Sequence, residues 1–493
     1  MRTITTKLFA TILSILTFGG MVSCTNEMIC DYGILDIESS EQPQSPYHIP
    51  LSEALGNLES MMNEMGMDNT RALQRGRWTV QRIPMSAFKP QTRSGGETEV
   101  GDAIYVVNFD NDEGFAILSA DDRLPDDVIA VSSRGNLIDF KPYPEDGNED
   151  TLTLEDLYVP ADDDYLLGST SPDRVIGGLV TNYIIDWTDN PSDSTINFKP
   201  VPRLTYTYHY EYHVNVPEIL TTTWHQNSPF NTYCDKRYYY YNWLGNEKSS
   251  VEAYNYDAEA KWGEGFIRSE DLPAGCVAIA VAQILAYNEF PSVGSVINEF
   301  DAMPWDSLVM NKFGLDGIGQ IRQSHCLAKV AHCIGVGCYM QYGFLGKNQS
   351  FATPVAAAQY LEDVGYSNAE VTWYDFNKVK SMLDDNRPVF VGAVRLNGDI
   401  GGHAWVVDGY KSLLRTTIAK NTAGQVVSTT TTTTGFYVHC NWGWEGASDG
   451  WFANGLLEDK YIETNNAESF DDTTVTPKNF HYDYWFRMVE YSK

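Results

Sequence analysis

One cysteine in this chain of 493 residues stands where a thiol nucleophile could be built. Cys276 follows a Pro-Ala-Gly turn and begins a run of apolar residues that ends at Pro291. The run is apolar on every side, which predicts a helix buried in the centre of a domain. The first turn of a helix carries partial positive charge and unpaired N–H groups, which stabilise a thiolate and can bind an oxyanion. On this motif alone, a small buried core residue is the commoner outcome.

A cysteine nucleophile needs a histidine within hydrogen-bond reach. The chain has nine histidines, and His403 is the best placed of them. It follows Gly401 and Gly402, which leave its imidazole open at the start of an apolar, strand-like segment. The alternative is a polar residue satisfied at a strand edge, which is the usual role of an isolated histidine.

The histidine in turn needs a group that orients it, and the reaction needs donors for an oxyanion. Asn441 could accept the second imidazole N–H, and the adjacent Trp442 could shield that bond from water. Gln226 could donate its side-chain amide to an oxyanion together with the N–H of Cys276. Each motif also has a plain alternative, because a Gly/aromatic turn or a Gln beside a Trp can simply pack.

Taken together, four motifs resemble those of the streptopain family of papain-like cysteine peptidases, in the family's order. They are 224–226 (WHQ) with 229–231 (PFN), 274–278 (AGCVA) with 282–284 (AQI), 401–409 (GGHAWVVDG), and 441–444 (NWGW) followed by 449–450 (DG). The resemblance covers residues 216–455 and implies a papain-like fold with a thiolate–imidazolium pair of Cys276 and His403. It further implies an oxyanion donor at Gln226 and support for His403 from Asn441 or Trp442. The implied activity is that of a cysteine endopeptidase, with protein or peptide substrates and no cofactor.

The resemblance extends to residues 103–122, which are similar to the prosegment that keeps such peptidases inactive. The implied prosegment spans residues 46–205 and would act as an intramolecular inhibitor of a catalytic domain at 206–493. It is longer than usual, and its extra material is an acidic region at 139–193. Residues 101–200 contain 22 Asp and Glu against 5 Lys and Arg. We expect a surface loop at 139–164 and a junction between the domains within 190–215.

Hydrophobic spacing predicts an α+β architecture in both regions. In the first, a helix over 49–67 precedes strands at 103–109, 114–119 and 128–132, with a hairpin turn at 110–113. In the second, helices at 276–291, 318–338 and 354–364 precede strands at 389–394, 403–408 and 436–440. The threonine-rich segment 416–434 predicts a long hairpin that turns near 421–424. Helices followed by a series of strands are typical of α+β domains.

The N-terminus predicts export. Residues 1–23 have basic residues before a short apolar segment, as in a signal peptide, and end in a sequence that resembles a bacterial lipoprotein box. Cys24 would then be the lipidated first residue of a polar tether at 24–45, although plain secretion fits as well. The net charge of −32 argues against nucleic acid or an anionic membrane as a partner. The only membrane contact we expect is through a lipid on Cys24.

Three alternatives remain open. His325, Cys326, His332, Cys333 and Cys338 suggest a metal site, but their helical spacing favours an ordinary core stripe. A Cys–His pair also serves transglutaminase-like acyl transfer to an amine, and a peptidase fold can be a catalytically silent surface-binding protein.

Leaving aside Cys24 and Cys276, six cysteines permit disulfides without indicating them.

Overall fold

The structure is a computed structural model, and it describes most of the chain. The described residues are 45, 47–67, 70–88, 101–137, 140, 142, 167–168, 172–189, 205–254, 265–292, 303–310, 317–343, 349–395, 402–421, 424–457 and 484–493. The signal peptide, the tether with Cys24 and almost all of the acidic loop lie outside these residues.

The described part of the N-terminal region (residues 47–189) combines three helices with five strands. They are α1 Leu51–Met65, α2 Thr70–Gln74, β1 Trp78–Pro84, β2 Asp102–Phe109, β3 Phe115–Ser119, β4 Val128–Ser132, β5 Leu167–Gly168 and α3 Pro172–Asp189. Short 3-10 turns lie at Met85–Ala87 and Asp110–Asp112.

The C-terminal region (residues 205–493) contains five helices and twelve strands among its described residues. They are β6 Thr205–Val216, β7 Lys236–Tyr241, β8 Glu247–Glu252, β9 Phe266–Asp271, α4 Cys276–Asn288, α5 Trp305–Met310, α6 Gly317–Gly337, β10 Gln341–Tyr342, β11 Ser350–Ala352, α7 Pro354–Asp363, β12 Ser367–Trp373, α8 Phe376–Asp384, β13 Val389–Arg395, β14 Gly402–Lys420, β15 Val426–Asn441, β16 Gly450–Ala453 and β17 Tyr484–Ser492. The fold is therefore α+β, as the sequence predicts.

One antiparallel sheet of eleven strands runs through both regions. Its order is β1-β2-β3-β4-β16-β15-β14-β13-β17-β12, and β6 pairs with the outer part of β14. The two regions join where β4 pairs with β16, with Ser132 opposite Gly450 and Ala130 opposite Phe452. Residues 43–493 accordingly form one compact unit. The division between a prosegment and a catalytic domain stays a prediction.

Helix α4 lies in the centre of the larger apolar core. All of its residues are buried except Tyr287. It contacts β14 on one side and helices α5, α6 and α7 on others. Burial of each Val, Ile or Leu side chain stabilises the fold by roughly 1.5–3 kcal/mol. The helix is thus a rigid mount for its first residue, Cys276.

A second apolar core is shared by the two regions. It contains the buried faces of α1 and of strands β2 to β4, together with Leu413, Tyr437, Trp451 and Ala453 of the C-terminal region. The hydroxyl of Tyr437 donates a hydrogen bond to the carbonyl oxygen of Val128 at 2.7 Å. The N-terminal region is therefore held both by strand pairing and by this shared core.

The predicted elements are mostly confirmed. Helix α1, strands β2 to β4, and helices α4, α6 and α7 all lie within a few residues of the predicted bounds. The long hairpin is confirmed as well, since β14 and β15 pair as far as Lys420 opposite Val426.

The structure adds two elements to the prediction. Residues 205–216 form β6, a strand of the main sheet, and the position of the junction within 190–215 stays a prediction. Helix α3 was not predicted. Its residues Val175, Leu179 and Tyr183 are buried at helical spacing, but Gly177 and Gly178 and several β-branched residues weaken its helical propensity.

Candidate active site

Cys276 is held at the start of α4 by a tight turn. Gly275, the residue before it, has φ +95, a conformation that suits glycine. A Cβ on Gly275 would lie 2.6 Å from the sulfur of Met340, so a larger residue would displace the end of that side chain and would also strain the backbone at this φ. The Ser350 hydroxyl donates a hydrogen bond to the Pro273 carbonyl at 2.6 Å. Strand β11 therefore lies directly beside the turn that presents the thiol.

The thiol itself is buried, with only 2% of Cys276 exposed. Burial raises the pKa of Cys276 to about 12, and backbone hydrogen bonds from Ala404, Val277 and Cys276 itself oppose the shift only in part. This shift favours the neutral thiol. Burial therefore opposes the thiolate that the sequence predicts at this helix N-terminus.

His403 lies one residue into β14, where it is opposite Ala393 of β13. Its ring is buried among tryptophans, and it stacks on Trp444 with ring centroids 4.4 Å apart. Its Nε2 lies 2.9 Å from the carbonyl oxygen of Trp442. Since a carbonyl can only accept, Nε2 carries the hydrogen, and in the neutral ring Nδ1 then has the lone pair. A ring in this tautomer can take a proton at Nδ1.

Cys276 and His403 are neighbours in space. One of the backbone hydrogen bonds to the thiol comes from Ala404, the residue directly after His403. Helix α4 also packs against β14 along this edge. The fold therefore brings the predicted nucleophile and the predicted base to the same point.

The hydrogen bonds of the Asn441 side chain go to groups other than His403. This side chain donates to the Thr222 carbonyl at 2.8 Å and accepts from Gln283 at 3.1 Å. It also accepts from the N–H of Gly443 at 3.3 Å. That N–H belongs to the same peptide group as the Trp442 carbonyl, which is the acceptor for His403. Asn441 thus holds the peptide that orients the imidazole.

Gln226 lies beside the turn that leads into Cys276. Its backbone carbonyl accepts a hydrogen bond from the N–H of Ala274 at 2.8 Å, and its side chain is buried. The residue before it forms a β-bridge with Trp444, whose ring stacks on His403. The structure therefore brings Gln226 to the same site as the cysteine and the histidine.

Two polar residues of the site, Gln283 and Thr222, had no role assigned from the sequence. Gln283 is fully buried on α4, and it accepts a hydrogen bond from the Thr222 hydroxyl at 2.7 Å while it donates to Asn441. It ties the cysteine helix to the segment that supports His403. The available signal was a polar side chain in the middle of a mostly apolar helix, which must find partners when buried.

The alternative metal site has no support in the described residues. Among them, no group of three or more His, Cys, Asp or Glu side chains could hold a metal ion. His325 instead pairs with the Tyr233 hydroxyl at 2.7 Å, and Cys326 and Cys338 are reduced thiols. None of the described helices is long and apolar enough to span a membrane.

An α+β domain that presents a cysteine from a buried helix to a histidine on an antiparallel sheet is typical of papain-like cysteine peptidases. Comparison with known families agrees: residues 224–452 match the family model of the Peptidase C10 family. Over these residues the chain is similar to the streptopain-like peptidases of this family.

Individual relatives are more distant. Streptopain of Streptococcus pyogenes is 25% identical over 235 residues, which is 42% of this chain and 52% of that protein. Streptopain of S. pyogenes serotype M1 matches with the same identity and coverage. The chain thus spans about half the length of these curated relatives. Among solved structures, a mutant fragment of Prevotella intermedia prointerpain A, in which one cysteine is replaced by alanine, is 20% identical, with a TM-score of 0.42 over 84% of this chain and 98% of that chain.

Proposed function

We propose that the chain is the zymogen of an exported cysteine endopeptidase. The observation that carries the proposal is the juxtaposition at the start of α4. There the thiol of Cys276 lies next to the backbone of Ala404, and the preceding residue, His403, is oriented through Nε2 by the Trp442 carbonyl. Acyl transfer through a thiol requires a base close to the sulfur, and this placement supports His403 in that role.

The proposed reaction proceeds by acyl transfer. The Cys276 sulfur loses its proton to Nδ1 of His403 and attacks the peptide carbonyl. The Gln226 amide and the Cys276 N–H hold the resulting oxyanion. His403 then protonates the leaving amine, and in the second half it takes a proton from the water that releases the acyl group.

Two observations support latency of the intact chain. The first is the buried, neutral thiol of Cys276. The second is strand β5 of the N-terminal region, which pairs antiparallel with β11, with Gly168 opposite Phe351. Strand β5 also lies against α4 and β14, the two elements that carry Cys276 and His403. We infer that residues 46–205 are the prosegment and that they close the site until they are removed.

The proposed location rests on the sequence alone. A signal peptide at 1–23 would direct export, and Cys24 would carry a lipid at the cell envelope if the lipoprotein box is used. The proposed substrates are proteins or peptides. The N-terminal sequence and the intact mass of the secreted species test removal of the signal peptide and lipidation together, since a lipid adds a defined mass at Cys24.

The test of the activity compares the full-length chain with its Cys276→Ala variant under reducing conditions. We expect the wild type to shorten itself and to hydrolyse casein, and Cys276→Ala to do neither. The matched control is Cys326→Ala, which changes another buried thiol on a different helix and should behave as the wild type does.

Hydrolysis by Cys276→Ala would rule out this nucleophile. A labelled amine added to the same reaction separates hydrolysis from transfer, because incorporation of the amine into casein would favour the transglutaminase-like alternative. A wild-type chain that neither cleaves casein nor reacts at Cys276 with a thiol-directed peptide inhibitor would favour a catalytically silent binding protein.

A further inference from the structure

A cluster of ionisable side chains lies behind the Trp442 backbone, and the reaction above does not use it. His439 is on β15 next to Asp408 of β14, and its Nδ1 lies 2.6 Å from the Asp408 carboxylate. Asp408 is fully buried, and its second oxygen accepts the Leu220 N–H at 2.9 Å. Asp449 completes the cluster from the turn that precedes β16.

The cluster touches the residue that orients the catalytic histidine. The Asp449 carboxylate accepts a hydrogen bond from the N–H of Trp442 at 2.8 Å. The carbonyl oxygen of the same residue lies 2.9 Å from Nε2 of His403. Trp442 is therefore held on one side by Asp449, and on the other side it holds His403. Two consecutive hydrogen bonds connect the cluster to the imidazole.

The charges in the cluster favour this arrangement. Burial raises the pKa of Asp449 to about 7, while the neighbouring His439 and the hydrogen bond from the Trp442 N–H lower it. Burial acts to lower the pKa of His439, but the Asp408 carboxylate outweighs it and the pKa is raised above its usual value. His439 is thus favoured as a cation between two carboxylates. Of the other charged groups near the cluster, Glu218 raises the pKa of His439 and Arg134 lowers the pKa of Asp449.

We propose that Asp449, supported by the His439–Asp408 pair, is a positioning residue that fixes the Trp442 backbone and thereby the orientation of His403. The inference rests on the proposed function, since it concerns the base of the same reaction. A carboxylate makes a stronger hydrogen bond to an N–H than a neutral group does, so ionised Asp449 holds Trp442 most firmly. Protonation of Asp449 weakens that bond as the pH falls below about 7.

The test uses the full-length chain, processed under reducing conditions, with kcat and KM on a peptide substrate measured from pH 5 to 9. Asp449→Asn keeps an oxygen that accepts from Trp442 but removes the charge. We expect kcat at pH 8 to fall roughly fivefold, because a charged hydrogen bond is about 1 kcal/mol stronger than a neutral one. Asp449→Ala removes the acceptor, and kcat should fall roughly 10–100-fold. KM should stay constant in both.

The pH profile separates positioning from a purely structural role. Asp449→Asn should lose the acid limb of kcat near pH 7. His439→Gln removes the positive charge that lowers the Asp449 pKa, so it should move that limb upward by roughly one pH unit. Asp385→Asn, a change at an exposed aspartate, is the matched control and should leave the profile unchanged.

The outcomes are distinct. If the wild type hydrolyses nothing, both the proposed function and this inference fail. If the wild type is active but neither Asp449 variant changes kcat or the acid limb, only the inference fails. Equal losses in Asp449→Asn and Asp449→Ala, with an unchanged pH profile and a matching loss of thermal stability, would also overturn it.

Discussion

Replacing Asn441 by alanine should lower stability and activity together, because Asn441 acts on His403 only through the peptide it holds. The change removes three hydrogen bonds, with Thr222, Gln283 and Gly443. At about 1 kcal/mol each, their loss should destabilise the chain by roughly 3 kcal/mol. The Trp442 carbonyl would lose one of its constraints, and kcat should fall roughly 10–100-fold.

The assay pairs urea denaturation, followed by tryptophan fluorescence, with kcat on a peptide substrate. The control is Asn288→Ala, at the opposite end of α4. Asn288 is also buried, and its side chain donates to Ile284 and Tyr491. This variant should lose a similar amount of stability and keep its kcat. Comparing the two variants separates the loss of kcat that is specific to Asn441 from the loss of stability that follows deletion of any buried amide.

Two results would contradict this indirect role of Asn441. A fall in kcat of more than about 1000-fold, with an unchanged denaturation midpoint, would show that Asn441 contacts the imidazole directly during the reaction, as a member of a catalytic triad does. An unchanged kcat with the expected loss of stability would show that the peptide is held well enough without it.

Three further outcomes follow from the structure. Thr222→Val leaves the buried side-chain oxygen of Gln283 without its hydroxyl donor, so the free energy of unfolding measured in urea should fall by about 1–3 kcal/mol. Equal denaturation midpoints would contradict a stabilising hydrogen bond between Thr222 and Gln283. Burial raises the pKa of Cys276 to about 12. In the uncleaved chain, iodoacetamide should therefore alkylate Cys276 more slowly than free N-acetylcysteine at pH 7, and the rate should increase up to pH 10. A rate that reaches a plateau by pH 8 would contradict a buried thiol. Gly114→Ala places a methyl group against the Ser132 backbone at φ +109, so it should disrupt the β3–β4 pairing and accelerate self-processing, and an unchanged rate would contradict inhibition by this hairpin.

The sequence indicated candidate residues for the site more readily than it indicated their contacts. Cys276, His403 and Gln226 could be found because each lies in a short motif of distinctive composition. The choice between Asn441 and Trp442 stayed open, since adjacent residues at a strand end differ in direction by a backbone rotation that spacing does not reveal. The structure shows the Trp442 carbonyl at His403 and the Asn441 side chain turned toward α4.

Long-range pairing was the other feature beyond sequence reasoning. Strands β2 to β4 were predicted as a local meander, which follows from alternation and turns. Nothing local to Val131 indicates that it lies opposite Trp451, more than half the chain away. The same limit applies to Asp408, His439 and Asp449. In the sequence each is an ordinary polar residue, and only the pairing of the strands shows that the three are neighbours.

The continuous sheet also constrains how the proposed zymogen could be activated. The proposed prosegment contributes β4 to the sheet beside β16 and shares an apolar core with Tyr437 and Trp451. A single cut at the junction would break none of these contacts, so the cleaved segment would remain bound. Release needs the loss of β4 from the sheet, by further cleavage within the N-terminal region or by its unfolding. Because Ser132 at the end of β4 donates to the Asp449 carbonyl, that same step frees the turn that holds the Trp442 backbone against His403.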